Sequence, residues 1–140
     1  MPTSSRFAVA LHVLVALAHL GAEGATSEQI AKSVNTNPVV VRRILGLLVK
    51  AGLVTGQGGR SGGYHLARDP RRIGLDRVLQ VVEPEGFFAM HENPTNPACA
   101  VSCSIKQVLG AVFKRAEASM HAPLRETSVA DLLRRVGTAR

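Results

Sequence analysis

Residues 35–52 read NTNPVVVRRILGLLVKAG, and the rest of the sequence is best understood as support for this stretch. Asn37 is suited to cap a helix, Pro38 fits the first helical position, and Gly52 provides a left-handed stop. Four apolar residues at helical spacing predict a stripe that faces the core: Val41, Ile44, Leu45 and Leu48. The polar and basic residues at the start of this helix are then left to face a partner.

Composition favours an acidic partner. The 140 residues carry a formal net charge of +7, which favours nucleic acid over an anionic membrane surface. Aromatic residues make up only 4% of the chain and Trp is absent, so stacking of single-stranded bases is disfavoured relative to binding of duplex DNA. The length predicts one domain with a core of its own.

The segment 7–20 is apolar except for His12 and His19, and with Arg6 before it the segment resembles a signal peptide. It is short for a membrane span, and a helix-start signal follows where a mature N-terminus would lie. We therefore favour a helix buried on nearly all sides, with Leu11, Leu14, Val15 and Ala18 as its central stripe, in a cytoplasmic protein without a membrane partner.

Two further local patterns surround the capped helix. Thr26 and Gln29 form a predicted capping box that opens a short helix, and only residues 35–37 separate that helix from the next. Residues 53–55 and 64–67 can form the strands of a hairpin with a Gly-rich basic tip. The pattern predicts a mainly α winged helix-turn-helix fold with a two-stranded β-hairpin wing. The alternative is that the two helices form a corner with a purely structural role and that the hairpin is a solvated surface turn.

The C-terminal half predicts a helix over 75–82, a proline-containing loop, and a long helix capped by Asn96 with Pro97 in its first turn. The predicted division is 1–83 for the DNA-binding domain, 84–98 for the loop, and 99–140 for a dimerisation helix and tail. A last helix over 128–136 is expected to cover the dimer interface. The long helix carries an apolar stripe that we expect to pair with a second subunit: Ile105, Val108, Leu109, Val112, Phe113, Ala116 and Met120.

Four segments together resemble the Rrf family of bacterial winged-helix regulators, which includes IscR, NsrR and CymR, and within it the YwnA type most of all. They are SRFAV at 5–9, NTNPVVVRRI at 35–44, GGY at 62–64 and VEP at 82–84. The resemblance implies a homodimeric transcription regulator, acting as a repressor on a palindromic operator. It also implies the residues that contact DNA: Ser27, Asn37, Val39, Val40, Arg42, Arg43, Arg60 and Ser61.

Roles within this set differ. The Arg43 guanidinium suits guanine O6 and N7, whereas Arg42 suits a phosphate, although the two assignments can be exchanged on sequence alone. Arg60 and Ser61 lie at the wing tip, where Arg60 can enter the minor groove. The sequence departs from the family at Gly58, a position that is often Arg.

Cys99 and Cys103 are the two cysteines of the chain. If the segment from Pro97 is helical, their spacing puts the α-carbons about 6 Å apart, within disulfide range. A reversible thiol switch is one interpretation, and a small buried hydrophobe is the other. Family members that resemble IscR bind an iron-sulfur cluster through three cysteines, so two cysteines leave a cluster as a minor alternative. We predict neither a cofactor nor a metal site.

An enzyme is not expected, because no nucleophile, base, metal set or phosphate loop has the required spacing. Alternatives to a thiol-switched regulator are a regulator that responds to a small ligand, taken up near Phe87 and Phe88, and a winged helix used for protein contact. The effector itself is unknown from these residues.

Overall fold

The structure is a computed structural model that describes residues 4–56 and 63–138. Within these residues six α-helices, two strands and two short 3-10 helices follow one another. The α-helices are α1 (Arg6–Leu20), α2 (Ser27–Val34), α3 (Pro38–Lys50), α4 (Leu75–Val82), α5 (Ala100–Arg125) and α6 (Val129–Thr138). The strands are β1 (Val54–Gly56) and β2 (Tyr64–Leu66), and the 3-10 helices are Gly21–Glu23 and Pro70–Arg72.

Helix α1 lies at the centre of the core. It contacts α2, α3, α4 and α6, and the side chains of Val13, Leu14 and Leu17 are almost completely buried. By length and composition alone, residues 6–23 could cross a membrane. The burial of these three side chains identifies α1 as the central helix of a folded domain. Of the predicted central stripe, Leu14 is fully buried, whereas Leu11, Val15 and Ala18 are only partly buried, because the side of α1 that faces the core is the one with Val13 and Leu17.

The capping signals around α2 and α3 are confirmed. The hydroxyl of Thr26 accepts from the backbone N–H of Gln29 at 3.2 Å, and the Gln29 side chain accepts from the Thr26 N–H at 2.9 Å. Helix α3 begins at Pro38, and Gly52, just beyond its end, has φ +77°. The predicted stripe of α3 is buried, with Val41, Ile44, Leu45 and Leu48 at most 2% exposed.

The base of the wing is held by a contact that the sequence did not predict. β1 and β2 are antiparallel, with Val54 opposite Leu66 and Gly56 opposite Tyr64. Ala25, between α1 and α2, pairs with Tyr64: the Ala25 N–H donates to the Tyr64 carbonyl at 3.0 Å, and the Tyr64 N–H donates in return at 2.7 Å. The wing is therefore hydrogen-bonded to the chain segment that leads into α2.

The start of α5 differs from the prediction. Asn96 and Pro97 precede the helix, and Cys99 is its N-cap, with the Ser102 N–H donating to the Cys99 Sγ at 3.5 Å. The side chain of Asn96 instead accepts from the Ala98 N–H at 3.0 Å. The Asn96 side chain does accept a backbone hydrogen bond, as a cap would. That bond closes a turn that precedes α5, and it does not begin the helix.

The loop before α5 is attached to the middle of that helix. The Glu117 carboxylate accepts from the backbone N–H groups of Phe87 at 2.9 Å and Phe88 at 3.2 Å. The Phe88 ring stacks on Phe113 with centroids 5.2 Å apart and an interplanar angle of 21°. These contacts fix the first part of the loop on its own α5.

Helix α6 packs on α1 of the same chain. Val129 is completely buried in the core, and Leu132 packs against it. Ser128 and Asp131 cap the helix reciprocally, since the Ser128 N–H donates to Asp131 at 2.9 Å and the Asp131 N–H donates to the Ser128 Oγ at 3.1 Å. The helix completes the core of its own chain, and its predicted position over a subunit interface stays a prediction.

Gly24→Ala should destabilise the protein more than Gly21→Ala. Both glycines have a positive φ, +62° and +60°, so alanine costs ~1–3 kcal/mol in backbone strain at either position. A Cβ at Gly24 would also lie 2.6 Å from the Tyr64 carbonyl oxygen, which adds ~1–3 kcal/mol of overpacking, whereas Gly21 faces open space. Urea unfolding measures both variants. Equal losses of unfolding free energy would show that the contact at Gly24 is unimportant.

Candidate nucleic-acid interface

The N-terminal turns of α3 present polar, basic and apolar side chains on one surface. Val39 and Val40 are 46% and 39% exposed, which is unusual for valines next to a buried stripe. Asn37, Arg42 and Arg43 are exposed beside them. The side chains that face outward are thus the ones that the sequence proposed for DNA contact in α3.

Asn37 has a structural role at this surface. Its Oδ1 accepts from the Val39 N–H at 2.8 Å, which satisfies one of the free donors at the start of α3. The side-chain amide group keeps its two donors for a partner. Asn37 therefore fixes the position of the helix start from which it would contact a base.

Arg42 is partly engaged by its own chain, because its Nη1 lies 3.7 Å from the Glu28 Oε1 of α2. The pKa of Glu28 is lowered, first by its backbone N–H, then by the Ser27 hydroxyl, and more weakly by the charge of Arg42. Arg43 makes no ion pair with any residue in the described part of the chain. Of the two arginines, Arg43 is the one left without a carboxylate beside it.

Glu28 was not predicted as part of this surface. In the sequence it is the third residue of the capping-box motif, TSEQ at 26–29, which gives no reason to expect a contact with α3. Ser27 is only 7% exposed, and its hydroxyl donates to Glu28 at 3.2 Å. Its predicted contact with DNA stays a prediction. Arg60, Ser61 and Gly58 lie outside the described residues.

The surface has the chemistry of a major-groove reader. A helix N-terminus fits the groove and its backbone N–H groups favour phosphate. Amide and guanidinium groups such as those of Asn37 and Arg43 can pair with purine edges, and valine side chains such as Val39 can contact the thymine methyl. The surface therefore offers both the polar and the apolar groups that direct readout of bases uses.

Helix α5 is the second exposed feature. None of its 26 residues is buried. Of the predicted dimer residues, Val108 and Val112 are exposed, and the other five are partly buried: Ile105, Leu109, Phe113, Ala116 and Met120. Val101, Val108 and Val112 are 66%, 56% and 44% exposed, so one side of a long helix offers an apolar surface to solvent.

The two cysteines lie at the start of α5. Cys99 is half-buried and has extended backbone geometry as the N-cap of α5, so the helix does not extend back to Pro97, which was the condition for the predicted separation of the two α-carbons. Cys103 is exposed, with its Sγ 3.8 Å from the carbonyl oxygens of Asn96 and Pro97. Among the described residues no cluster of three or more His, Cys, Asp or Glu side chains could hold a metal ion. Two thiols do not supply the ligand set of an iron-sulfur cluster within one subunit.

A basic recognition helix, a tight turn before it and a hairpin after it define a winged helix-turn-helix DNA-binding protein. Residues 3–135 match the model of the Rrf2 family, which is described as an iron-dependent transcriptional regulator family. The chain belongs to the Rrf2 family. The resemblance that the sequence motifs carried is thereby confirmed, as is the winged-helix fold.

YwnA of Bacillus subtilis (strain 168), named as an HTH-type transcriptional regulator, is 42% identical over 131 residues. The match covers 93% of this chain and 96% of YwnA. A solved structure described as a DNA-binding protein is 36% identical, with a TM-score of 0.72, and covers 92% of this chain and 99% of that one. IscR of T. potens, at 24% identity, shares the fold with a TM-score of 0.70 over 97% of this chain and 88% of its own.

These relatives are transcriptional regulators and not enzymes, which agrees with the prediction from sequence. The chain is accordingly a DNA-binding transcriptional regulator, and the exposed start of α3 is its candidate reading surface. The residue-by-residue roles on that surface are predictions that need a binding measurement.

Arg43→Ala should weaken binding to the DNA upstream of the protein's own gene by roughly 1 to 3 kcal/mol, and binding to random duplex by much less. Lys50→Ala is the matched control, because it removes a positive charge from the exposed far end of the same helix. Fluorescence anisotropy at fixed salt measures the affinities of the wild-type protein and of both variants for both DNAs. Equal loss on both DNAs would make Arg43 a phosphate contact and not a base reader.

Proposed function

We propose that the protein is a cytoplasmic homodimeric repressor that reads a palindromic operator. The observation that carries this proposal is the apolar side of α5, on which Val108 and Val112 remain exposed in the single chain. Burial of an exposed apolar stripe stabilises association at about 25 cal/mol per Å² of apolar surface. A second copy of α5 presents the same stripe and is its most direct partner.

The proposed dimer explains how one short helix reads enough sequence. The 26 residues of α5 at 1.5 Å per residue give a helix about 39 Å long. Two such helices paired about a two-fold axis would hold two α3 helices at the spacing of one DNA turn, on the order of 34 Å. A two-fold protein then requires a two-fold operator. Repression follows if that operator overlaps a promoter, where a bound dimer excludes the polymerase.

Val112→Asp should convert the dimer to a monomer, because it places a charge within the apolar stripe of each helix. Loss of the second half-site contact should then lower operator affinity by more than ~10-fold. Gln107→Asp introduces the same charge at an exposed polar position of α5 and should leave both properties unchanged. Sedimentation equilibrium gives the mass, and anisotropy gives the affinity. A Val112→Asp protein that remains dimeric would contradict the proposed interface.

We also propose that oxidation of Cys99 and Cys103 switches the repressor. The specific support is that the Cys99 thiol is the cap of α5 and that Cys103 is exposed one turn further along the chain. Two thiols lose two protons and two electrons to form one disulfide, and a disulfide oxidant such as oxidised glutathione takes them up and becomes two thiols. The change at the root of α5 would then alter the relative positions of the two reading helices.

Operator affinity should differ by at least ~5-fold between reduced protein and protein treated with oxidised glutathione, which corresponds to the lower end of measured coupling energies. Cys99→Ser and Cys103→Ser should each abolish the difference while they keep the affinity of the reduced protein. Anisotropy titrations of the three proteins in parallel test this. Superimposed curves for the reduced and oxidised wild-type protein would contradict the thiol switch. They would favour the alternative of a small ligand taken up near Phe87 and Phe88.

A further inference from the structure

A groove with a volume of about 760 Å³ runs between α1, α2 and α6, away from the α5 stripe and the exposed face of α3. Its floor is formed by Leu11 and Val15 of α1, Ile30 of α2 and Leu132 of α6. These four side chains also belong to the core or pack against it, so the floor is a fixed part of the fold. The volume falls within the range of small-molecule sites, about 300 to 1,000 Å³.

Polar groups meet at one part of this groove. The His12 Nε2 lies 3.0 Å from the Ser33 Oγ, which places an imidazole and a hydroxyl side by side between α1 and α2. His19, Gln29 and Arg135 also line the groove. Among the described residues that line it, none carries a carboxylate. The groove therefore combines an apolar floor with groups that can donate hydrogen bonds.

We propose that this groove binds a small amphipathic carboxylic acid. The aliphatic part of such a ligand would cover the apolar floor formed by Leu11, Val15 and Ile30. The carboxylate would accept hydrogen bonds from the side of the groove where His12 and Ser33 lie. Polar complementarity selects this ligand class, because a neutral apolar molecule of the same length would offer no acceptor to His12 and Ser33, and a cation would find no carboxylate among the described residues that line the groove.

The groove has a direct connection to the reading surface. Gln29 and Ile30 belong to α2, the helix that precedes α3 across the three-residue turn, and Leu132 belongs to α6. A ligand that holds α2 and α6 apart, or draws them together, would change the position of α2 relative to α1. The effect on operator binding rests on the proposed function, whereas occupancy of the groove does not.

The test is a titration of the full chain, in reducing buffer and without DNA, with decanoate and with decan-1-ol as the matched neutral probe. Displacement of the fluorescent anion 8-anilinonaphthalene-1-sulfonate reports occupancy. The expected result is saturable binding of one decanoate per chain, with decan-1-ol at least tenfold weaker. Equal affinity for both probes, or no saturation below the concentration at which decanoate forms micelles, would overturn the proposal.

Two variants locate the site. Ala16 lines the groove, so Ala16→Phe should fill it and weaken decanoate binding at least tenfold, whereas Ala8→Phe on an exposed part of the same helix should have no effect. Ser33→Asp should place a fixed carboxylate beside His12 and abolish binding of decanoate while it spares binding of decan-1-ol. Circular dichroism confirms that each variant is folded.

Three results would place the probe elsewhere or show that the groove is occupied by protein. Undiminished binding by a folded Ala16→Phe protein would put decanoate at another site. Equal losses in Ala16→Phe and Ala8→Phe would show an effect of bulk on α1 in general. Binding that appears only on dilution to monomers would show that a second copy of the chain covers the groove. Each of these results overturns the proposal without any reference to DNA.

Discussion

The packing of α3 on α1 is the interaction on which the reading surface depends. Burial of side chains such as Ile44 and Leu45 contributes ~1.5–3 kcal/mol each. The ion pair between Arg42 and Glu28 is exposed and long, and such pairs contribute little to stability. Apolar burial therefore determines the rotation of α3 about its axis, and at 3.6 residues per turn that rotation leaves Arg43 outside.

The sequence predicts the helix-turn-helix because the signals are local. A capping box involves Thr26 and a partner three residues away, and the cap at Asn37 acts two residues ahead. The apolar period of α3 depends on one helix alone. Such features form with little chain-closure entropy, so the residues that specify them are close in sequence. The same reasoning explains why the outward side chains of α3 could be assigned before the structure was known.

Other features depend on residues far apart in the chain, and the sequence does not reveal them. Ala25 pairs with Tyr64 across 39 positions, and nothing near Ala25 indicates a strand. At the start of α5 the N-cap is Cys99, although Asn96 is the better cap by residue type. The groove between α1, α2 and α6 has no sequence signal, because its lining comes from three separate helices.

The attachment of α5 at two points has a mechanical consequence. The Leu75 N–H at the start of α4 donates to the Thr127 carbonyl just beyond α5 at 3.0 Å, and Glu117 holds the loop that follows α4. Helix α5 is thus attached to the winged-helix part of its own chain at two points, and the two parts should move as one rigid body. In the proposed dimer, a longer or shorter spacing between the two half-sites would then be accommodated by movement of one subunit relative to the other. It would not be accommodated by bending within a subunit.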